Sequence, residues 1–181
     1  IPLLAHGIGP GDAVITSPFT YIATGEVISL LRATPIFVDI YSKTYNIDPS
    51  KISKGVQEAE SKGLKPKAII PVDLFGLPAR YRLLKEEAKK FNLFLLEDAA
   101  QGFGGSIGDK KAGSFCKVGA TSFFPAKPLG CYGDGGAIFT SDSELAEKIN
   151  MISKNGQKVR HKHEVIGMNS RLDAIQASIL N

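Results

Sequence analysis

Short apolar runs rich in β-branched and aromatic residues alternate along this chain with stretches of helical periodicity, and that alternation restricts the fold more than any other feature. The strand candidates cover residues 13–16, 36–40, 68–72, 93–96, 120–124 and 137–140. Between them lie helical patterns over 21–32, 49–61, 79–91 and 143–154. This spacing argues for an α/β fold, a mostly parallel sheet flanked by helices on both faces. Several strand candidates are continuous apolar runs, as strands covered on both sides are. Local signals agree. Asp48-Pro49 places a capping side chain before a proline at the first helical position. Ser141-Asp-Ser-Glu144 carries capping-box chemistry, and Gly7-Ile-Gly-Pro-Gly-Asp12 is turn composition.

No internal repeat, linker or low-complexity tract divides the chain, so residues 1–181 are expected to form one domain. Ile1-Pro-Leu-Leu4 reads as the tail of a helix, and Ser178-Ile-Leu-Asn181 stops inside an apolar-periodic segment. The domain is therefore expected to be incomplete at both ends. The balance of 43% apolar and 22% charged residues suits a soluble globular domain with one good core. No apolar run is long enough to span a bilayer.

Two cysteines, Cys116 and Cys131, make neither a disulfide framework nor a metal spacing, so a reducing, cytoplasmic setting is the expectation. His161-Lys-His163 has no accompanying acid or cysteine cluster, which argues against a metal site. The net charge of +4 comes from lysines scattered over helical faces, as in Lys85-Glu-Glu-Ala-Lys-Lys90. No basic stripe with interleaved aromatics accompanies them, so nucleic acid is not the expected partner, and a phosphorylated small substrate suits the charge equally well.

In open α/β sheets, ligands sit beyond the carboxyl ends of the strands. The polar residues of interest fall at such ends: Ser17-Pro-Phe-Thr-Tyr21 after the first strand, Asp73 after the third, Glu97-Asp98 after the fourth, and Ser122 to Lys127 after the fifth. Lys127 is the most informative of them. It follows the apolar Phe123-Phe124, precedes Pro128, and leads into the glycine-rich Gly130-Cys-Tyr-Gly-Asp-Gly-Gly136. A lysine held in such a place can serve as an amine nucleophile toward a carbonyl.

Pyridoxal phosphate requires such a lysine for its aldehyde, an acid at the pyridine nitrogen, hydroxyl and N–H donors for the phosphate, and a flat side chain on the ring face. Asp98 is the candidate acid, followed by the small residues Ala99, Ala100 and Gly102. Glu97 points the other way and is read as structural. Ser122 is the candidate phosphate ligand, and Gln101 a residue over the ring or at its phenolic oxygen. Tyr21 is the candidate stacking ring, with Phe19 the weaker choice. Gly102-Phe-Gly-Gly-Ser-Ile-Gly108 does not match the dinucleotide-binding spacing and reads as a turn. Asp73 and Asp134 read as single acids in turns, without a partner for paired-carboxylate chemistry.

Four segments in order, Glu97-Asp-Ala-Ala-Gln101, Ser122-Phe-Phe-Pro-Ala-Lys127, Gly133-Asp-Gly-Gly-Ala137 and Gly167-Met-Asn-Ser-Arg171, resemble the DegT/DnrJ-type sugar aminotransferases. The resemblance runs from Gly7 to the last residue and implies the large, cofactor-binding domain of a fold-type I pyridoxal-phosphate transferase. It implies Lys127 as the Schiff-base lysine, Asp98 as partner of the pyridinium nitrogen, Ser122 as a phosphate ligand, Tyr21 on the ring face and Gln101 beside it. It implies that Asn169 reaches the cofactor phosphate of a neighbouring subunit and that Arg171 meets substrate there, in a homodimer with shared active sites. The implied reaction moves an amino group from glutamate to a keto nucleotide sugar in bacterial surface-polysaccharide synthesis. A UDP-linked 3-keto hexuronic acid fits best, and dTDP-linked 3-keto deoxyhexoses are similar. The family's upstream Gly-Thr phosphate segment and its smaller C-terminal domain have no counterpart in these residues. A catalytically incomplete homologue that dimerises or binds a ligand is the alternative. Deoxysugar dehydratases of this type carry histidine where Lys127 stands, which argues against that activity.

Overall fold

The computed structural model describes residues 1–181. The chain opens with α1 (Pro2–Ala5), β1 (Asp12–Thr16), α2 (Ala23–Leu30) and β2 (Thr34–Phe37). A 3₁₀ turn at Pro49–Lys51 leads into α3 (Ile52–Ser61), then β3 (Lys65–Ile69), a second 3₁₀ turn (Leu74–Gly76), α4 (Tyr81–Lys90) and β4 (Phe94–Asp98). A small hairpin of β5 (Ser106–Ile107) and β6 (Lys110–Lys111) precedes β7 (Val118–Ser122) and β8 (Gly136–Thr140). The chain ends with α5 (Ser143–Ser153), a second hairpin of β9 (Gln157–Val159) and β10 (Lys162–His163), and α6 (Ala174–Ile179).

The main sheet has the order β2-β1-β3-β4-β7-β8. All neighbouring pairs are parallel except β7 and β8, which pair antiparallel from Val118↔Thr140 to Ser122↔Gly136. The sheet is thus mostly parallel, with an antiparallel strand at one edge. The order reverses direction at β1, which puts a crevice beyond the carboxyl ends of β1 and β3, the place where such sheets bind ligands.

The expected helices and strands form, but several strands begin earlier than the apolar pattern suggests. β3 starts at Lys65, not 68, because the exposed Lys65-Pro-Lys67 still pairs with β1, where Asp12 faces Lys65. β2 and β7 likewise begin two residues before the expected apolar runs. The expected cap at Asp48 is in place, whereas in the Ser141–Glu144 segment the capping residue is Asp142 and not Ser141. Asp48 accepts from the Ser50 N–H (3.0 Å) and Asp142 from the Leu145 N–H (3.0 Å).

Each face of the sheet carries its own core. Ala13, Ile15, Ile36 and Ile69 pack under α3 and α4, against Ile52, Val56, Leu84 and Ala88. Val14, Ala68, Ile70, Leu96 and Val118 pack under α1, α2 and α5, against Leu3, Ile28, Leu145 and Ile149. Val14, Ile15, Ile69 and Val118 are fully buried, each stabilising the fold by about 1.5–3 kcal/mol. The period-two alternation of strand side chains fixes the rest. On β4, Leu96 and Asp98 face the α2 side, and Leu95 and Glu97 face the α4 side. No helix is long and apolar enough to cross a membrane.

Candidate active site

The last residue of β4 is Asp98, level with Ala120 of β7. Its carboxylate is held from two directions. The hydroxyl of Thr24, in the first turn of α2, donates to Asp98 Oδ2 at 2.8 Å, and the Ala100 N–H donates to Oδ1 at 3.1 Å. Thr24 itself is buried and 3.1 Å from the hydroxyl of Thr20. Burial pushes the Asp98 carboxyl above its ordinary range; the Thr24 hydroxyl, the Ala100 N–H and the positive charge of Lys127 pull it back down. Lys127 is therefore close enough to act electrostatically on Asp98.

Lys127 stands on the loop that joins β7 to β8. Its N–H donates to Phe124 O (2.8 Å), Phe123 bonds across to Gly135 O (2.8 Å), and the Cys131 N–H closes back on Phe123 O (2.8 Å). The buried Cys131 thiol lies 3.0 Å from the same carbonyl. The turn is so tight at Gly130 that an added Cβ would sit 2.7 Å from Pro125 O, which only glycine permits. Backbone bonds thus fix the lysine's root while its ammonium reaches over the Tyr21 ring, 6.0 Å from the centroid. Tyr21 is largely exposed. Phe19 turns elsewhere, 5.5 Å from Tyr45 and 6.4 Å from Phe75, centroid to centroid.

Ser122 ends β7, and its hydroxyl accepts from the Phe124 N–H at 3.2 Å, leaving its hydrogen free to donate. Gln101 follows Asp98 by three residues. Its Oε1 accepts from the Phe75 N–H (3.0 Å), so its amide NH₂ is the part left for a ligand. Asn169 and Arg171 do not hydrogen-bond to Asp98, Ser122 or Lys127. They lie after the second hairpin, where Ser170 and Met168 bond to the end of α5, and the Arg171 Nε donates to Asn169 Oδ1 at 2.7 Å. Both are exposed.

Two features escaped the sequence reading. Thr24 is one: a threonine in a helix's first turn is ordinary, and its partner is 74 residues away. The other is the setting of Asp73, read as a single acid in a turn without a partner for paired-carboxylate chemistry. Asp73 is fully buried beneath the site and accepts from the Tyr81 hydroxyl (2.6 Å) and the Ala79 N–H (3.0 Å). Glu97 faces it as a like charge and as an acceptor for its proton. Burial, followed by that neighbour, lifts the Asp73 carboxyl to about 7 in spite of the Tyr81 and Ala79 donors. Gly102 packs directly on it, where a Cβ would meet Asp73 Cβ at 2.7 Å. Glu97 has the structural role expected of it: fully buried, it accepts from the N–H groups of Gly113, Phe115 (2.8 Å) and Cys116 (3.3 Å).

A carboxylate kept partly desolvated, a lysine in its field, an exposed ring beside that lysine and small residues at Ala99, Ala100 and Gly102 fit the ring of pyridoxal phosphate. Known proteins agree. The chain is 49% identical to UDP-2-acetamido-2-deoxy-3-oxo-D-glucuronate aminotransferase of Pseudomonas aeruginosa, over 98% of this chain and 48% of the relative. A DegT DnrJ EryC1 StrS aminotransferase from Brucella abortus superposes with a TM-score of 0.96 at 49% identity, covering 99% of this chain and 48% of that one. The ntda protein of Bacillus subtilis, solved with bound cofactor PMP, superposes with a TM-score of 0.89 at 34% identity, covering 99% and 40%. The chain spans about half the length of these proteins. The family described as DegT/DnrJ/EryC1/StrS aminotransferases matches residues 1–181. By fold and sequence the chain belongs to that family.

Proposed function

We propose that this chain is the cofactor-holding domain of a pyridoxal-phosphate-dependent aminotransferase that moves an amino group from glutamate to a keto nucleotide sugar. The convergence of Asp98 and Lys127 at the carboxyl end of one sheet carries the reading. When bound, the cofactor supplies an aldehyde for the amine and a protonated ring that takes up the electrons of the amino-bearing carbon.

The protein's own residues do the rest. Lys127 Nζ would hold the aldehyde carbon and, as a free amine, would carry a proton to and from the reacting carbon. Asp98 holds the proton on the ring nitrogen through a charged hydrogen bond. Tyr21 covers the ring face and shields it from water. Ser122 donates its hydroxyl hydrogen to phosphate, and the Gln101 NH₂ orients the ring from its edge. Asn169 and Arg171, exposed and paired with each other here, serve the site of a second copy in a homodimer, Asn169 at phosphate and Arg171 at substrate.

Similarity to the Pseudomonas aeruginosa relative supports a UDP-linked 3-keto hexuronic acid as acceptor, and with it a cytoplasmic role in surface-polysaccharide synthesis. The experiment mixes the protein with pyridoxal phosphate, then glutamate, then a UDP- or dTDP-linked 3-keto sugar. The lysine-bound cofactor absorbs visible light, glutamate bleaches the band, and the UDP-linked sugar restores it. Lys127→Ala gives no such band. A band that survives in Lys127→Ala overturns the assignment. A wild-type protein that never forms one favours the dimerisation or ligand-binding module instead.

A further inference from the structure

We propose that Thr24 is a positioning residue for Asp98: its hydroxyl fixes the carboxylate's orientation and keeps it anionic, and so governs how firmly the ring nitrogen holds its proton. The inference rests on the function proposed above for Asp98.

The bonding pattern has a direction. A threonine hydroxyl carries one hydrogen. That of Thr24 goes to Asp98 Oδ2 at 2.8 Å, so the 3.1 Å contact between Thr20 and Thr24 must be donated by Thr20. The two hydroxyls form a chain that runs from Thr20 through Thr24 and ends on the carboxylate. Hydrogen bonds arranged head to tail polarise one another, and this chain adds donor strength at its carboxylate end. Donors to a carboxylate favour its ionised form. The chain enters from the first turn of α2, where the helix dipole also favours negative charge.

Geometry and burial make this consequential. Thr24 is 5% exposed, so no water replaces its hydroxyl. With Thr24 on Oδ2 and the Ala100 N–H on Oδ1, each carboxylate oxygen takes one donor from the protein and keeps a lone pair for the open side. Of the influences that oppose the burial of Asp98, the Thr24 bond is the largest, ahead of Ala100 and Lys127. No acid other than Asp98 enters this balance.

Three variants test it: Thr24→Val removes the hydroxyl at nearly constant shape, Thr24→Ser keeps the donor and removes the methyl, and Thr20→Val removes the outer hydroxyl. The first readout is the ¹³C carboxyl titration of Asp98 in cofactor-free protein. Thr24→Val raises the Asp98 midpoint above wild type, Thr20→Val raises it less, and Thr24→Ser leaves it near wild type. The second readout is the ¹⁵N chemical shift of the ring nitrogen with labelled pyridoxal phosphate bound. It moves toward the unprotonated position in Thr24→Val and stays put in Thr24→Ser. In turnover, kcat of Thr24→Val falls roughly tenfold or more, the size of one hydrogen bond to a charged group, with KM for the sugar nearly unchanged. An Asp98 titration identical in wild type and Thr24→Val overturns the proposal, and so does a Thr24→Ser variant as impaired as Thr24→Val. A wild-type protein that takes no cofactor defeats the proposed function alone, because the carboxyl titration still decides the role of Thr24.

Discussion

Glu97 and Asp98 are adjacent acids on β4, and the sheet sends them into opposite worlds. On the α4 side, Glu97 is sealed. Its oxygens take the amides of Gly113, Phe115 and Cys116. Phe115 stacks on Tyr81 at 4.7 Å, and Tyr81 bonds Asp73, so one network ties the second 3₁₀ turn, α4 and the 113–116 turn together. Burial, then the Glu97 charge, pushes the Cys116 thiol in this region to about 12, which leaves it unreactive. On the α2 side, Asp98 has one donor per oxygen and a lysine in its field. An acid whose two oxygens are both held by backbone amides, three in all, secures structure. An acid with lone pairs to spare and a cation in its field is available for chemistry.

Glu97→Ala is the severest way to break the comparison. It strands three buried amides at about 1–3 kcal/mol each, a large share of a typical 5–15 kcal/mol stability. The expected outcome is a protein recovered largely unfolded, read by circular dichroism and soluble yield. A well-folded Glu97→Ala protein would show the sealed side to be dispensable. Asp98→Asn is the mirror case. The fold is expected to stay intact: a buried charge is removed, the Asn oxygen still accepts from the Ala100 N–H, and its NH₂ meets the Thr24 hydroxyl, which can turn to accept. Transamination falls by about 10²–10³-fold, the size of losing a key electrostatic partner. Measuring kcat beside the thermal midpoint separates the two residues, and a fall in midpoint with full activity would reverse their roles.

Tyr81→Phe sharpens the contrast from the sealed side. It deletes the 2.6 Å donor to Asp73 and is expected to cost roughly 1.5–3 kcal/mol of stability, with kcat unchanged. Tyr81 has the matching signature: burial, followed by the Asp73 and Glu97 charges, raises its phenol well above the ordinary value. Loss of activity without loss of stability would place Tyr81 in the wrong region.

The open side was largely legible in the sequence, and the sealed side was not. Parallel strands deliver their carboxyl ends to one edge, so Tyr21, Asp98, Ser122 and Lys127 could be placed together before any coordinates. Alternation along β4 told that Glu97 faces away from Asp98. What it faces, Asp73 after β3 and the amides after β6, depends on how loops fold under the sheet, and loops carry no periodicity to read. Thr24 was hidden for a related reason. Its place near the start of a helix is ordinary, and only the packing of α2 beside β4 brings it to Asp98. The antiparallel β8 was equally silent, since an edge strand's direction is set by the length and closure of the Lys127 loop and not by its own residues.

Asp73→Asn makes the smallest and most discriminating prediction. Asp73 is fully buried with its second oxygen, Oδ2, lacking any donor, and Glu97 is positioned to accept its proton. Its native value of about 7 lies above the ordinary 3.8, so the folded state holds a proton that the unfolded chain releases. Stability from this group is complete below about pH 4, declines as pH rises toward 7, and declines no further above the native value. Between pH 6 and 8 the decline amounts to about 1.4 kcal/mol, a few degrees in thermal midpoint. Asparagine carries a permanent N–H donor in place of the titrating proton. It keeps an oxygen for Tyr81 and Ala79 and gives Glu97 a hydrogen bond at every pH. The variant is therefore expected to lose that slope and to match or exceed wild type at pH 8, measured by thermal unfolding across the pH range. A wild-type profile flat from pH 4 to 8, or an Asp73→Asn protein less stable than wild type at pH 8, would mean that Asp73 is an ordinary anion and that the sealed side holds two full charges.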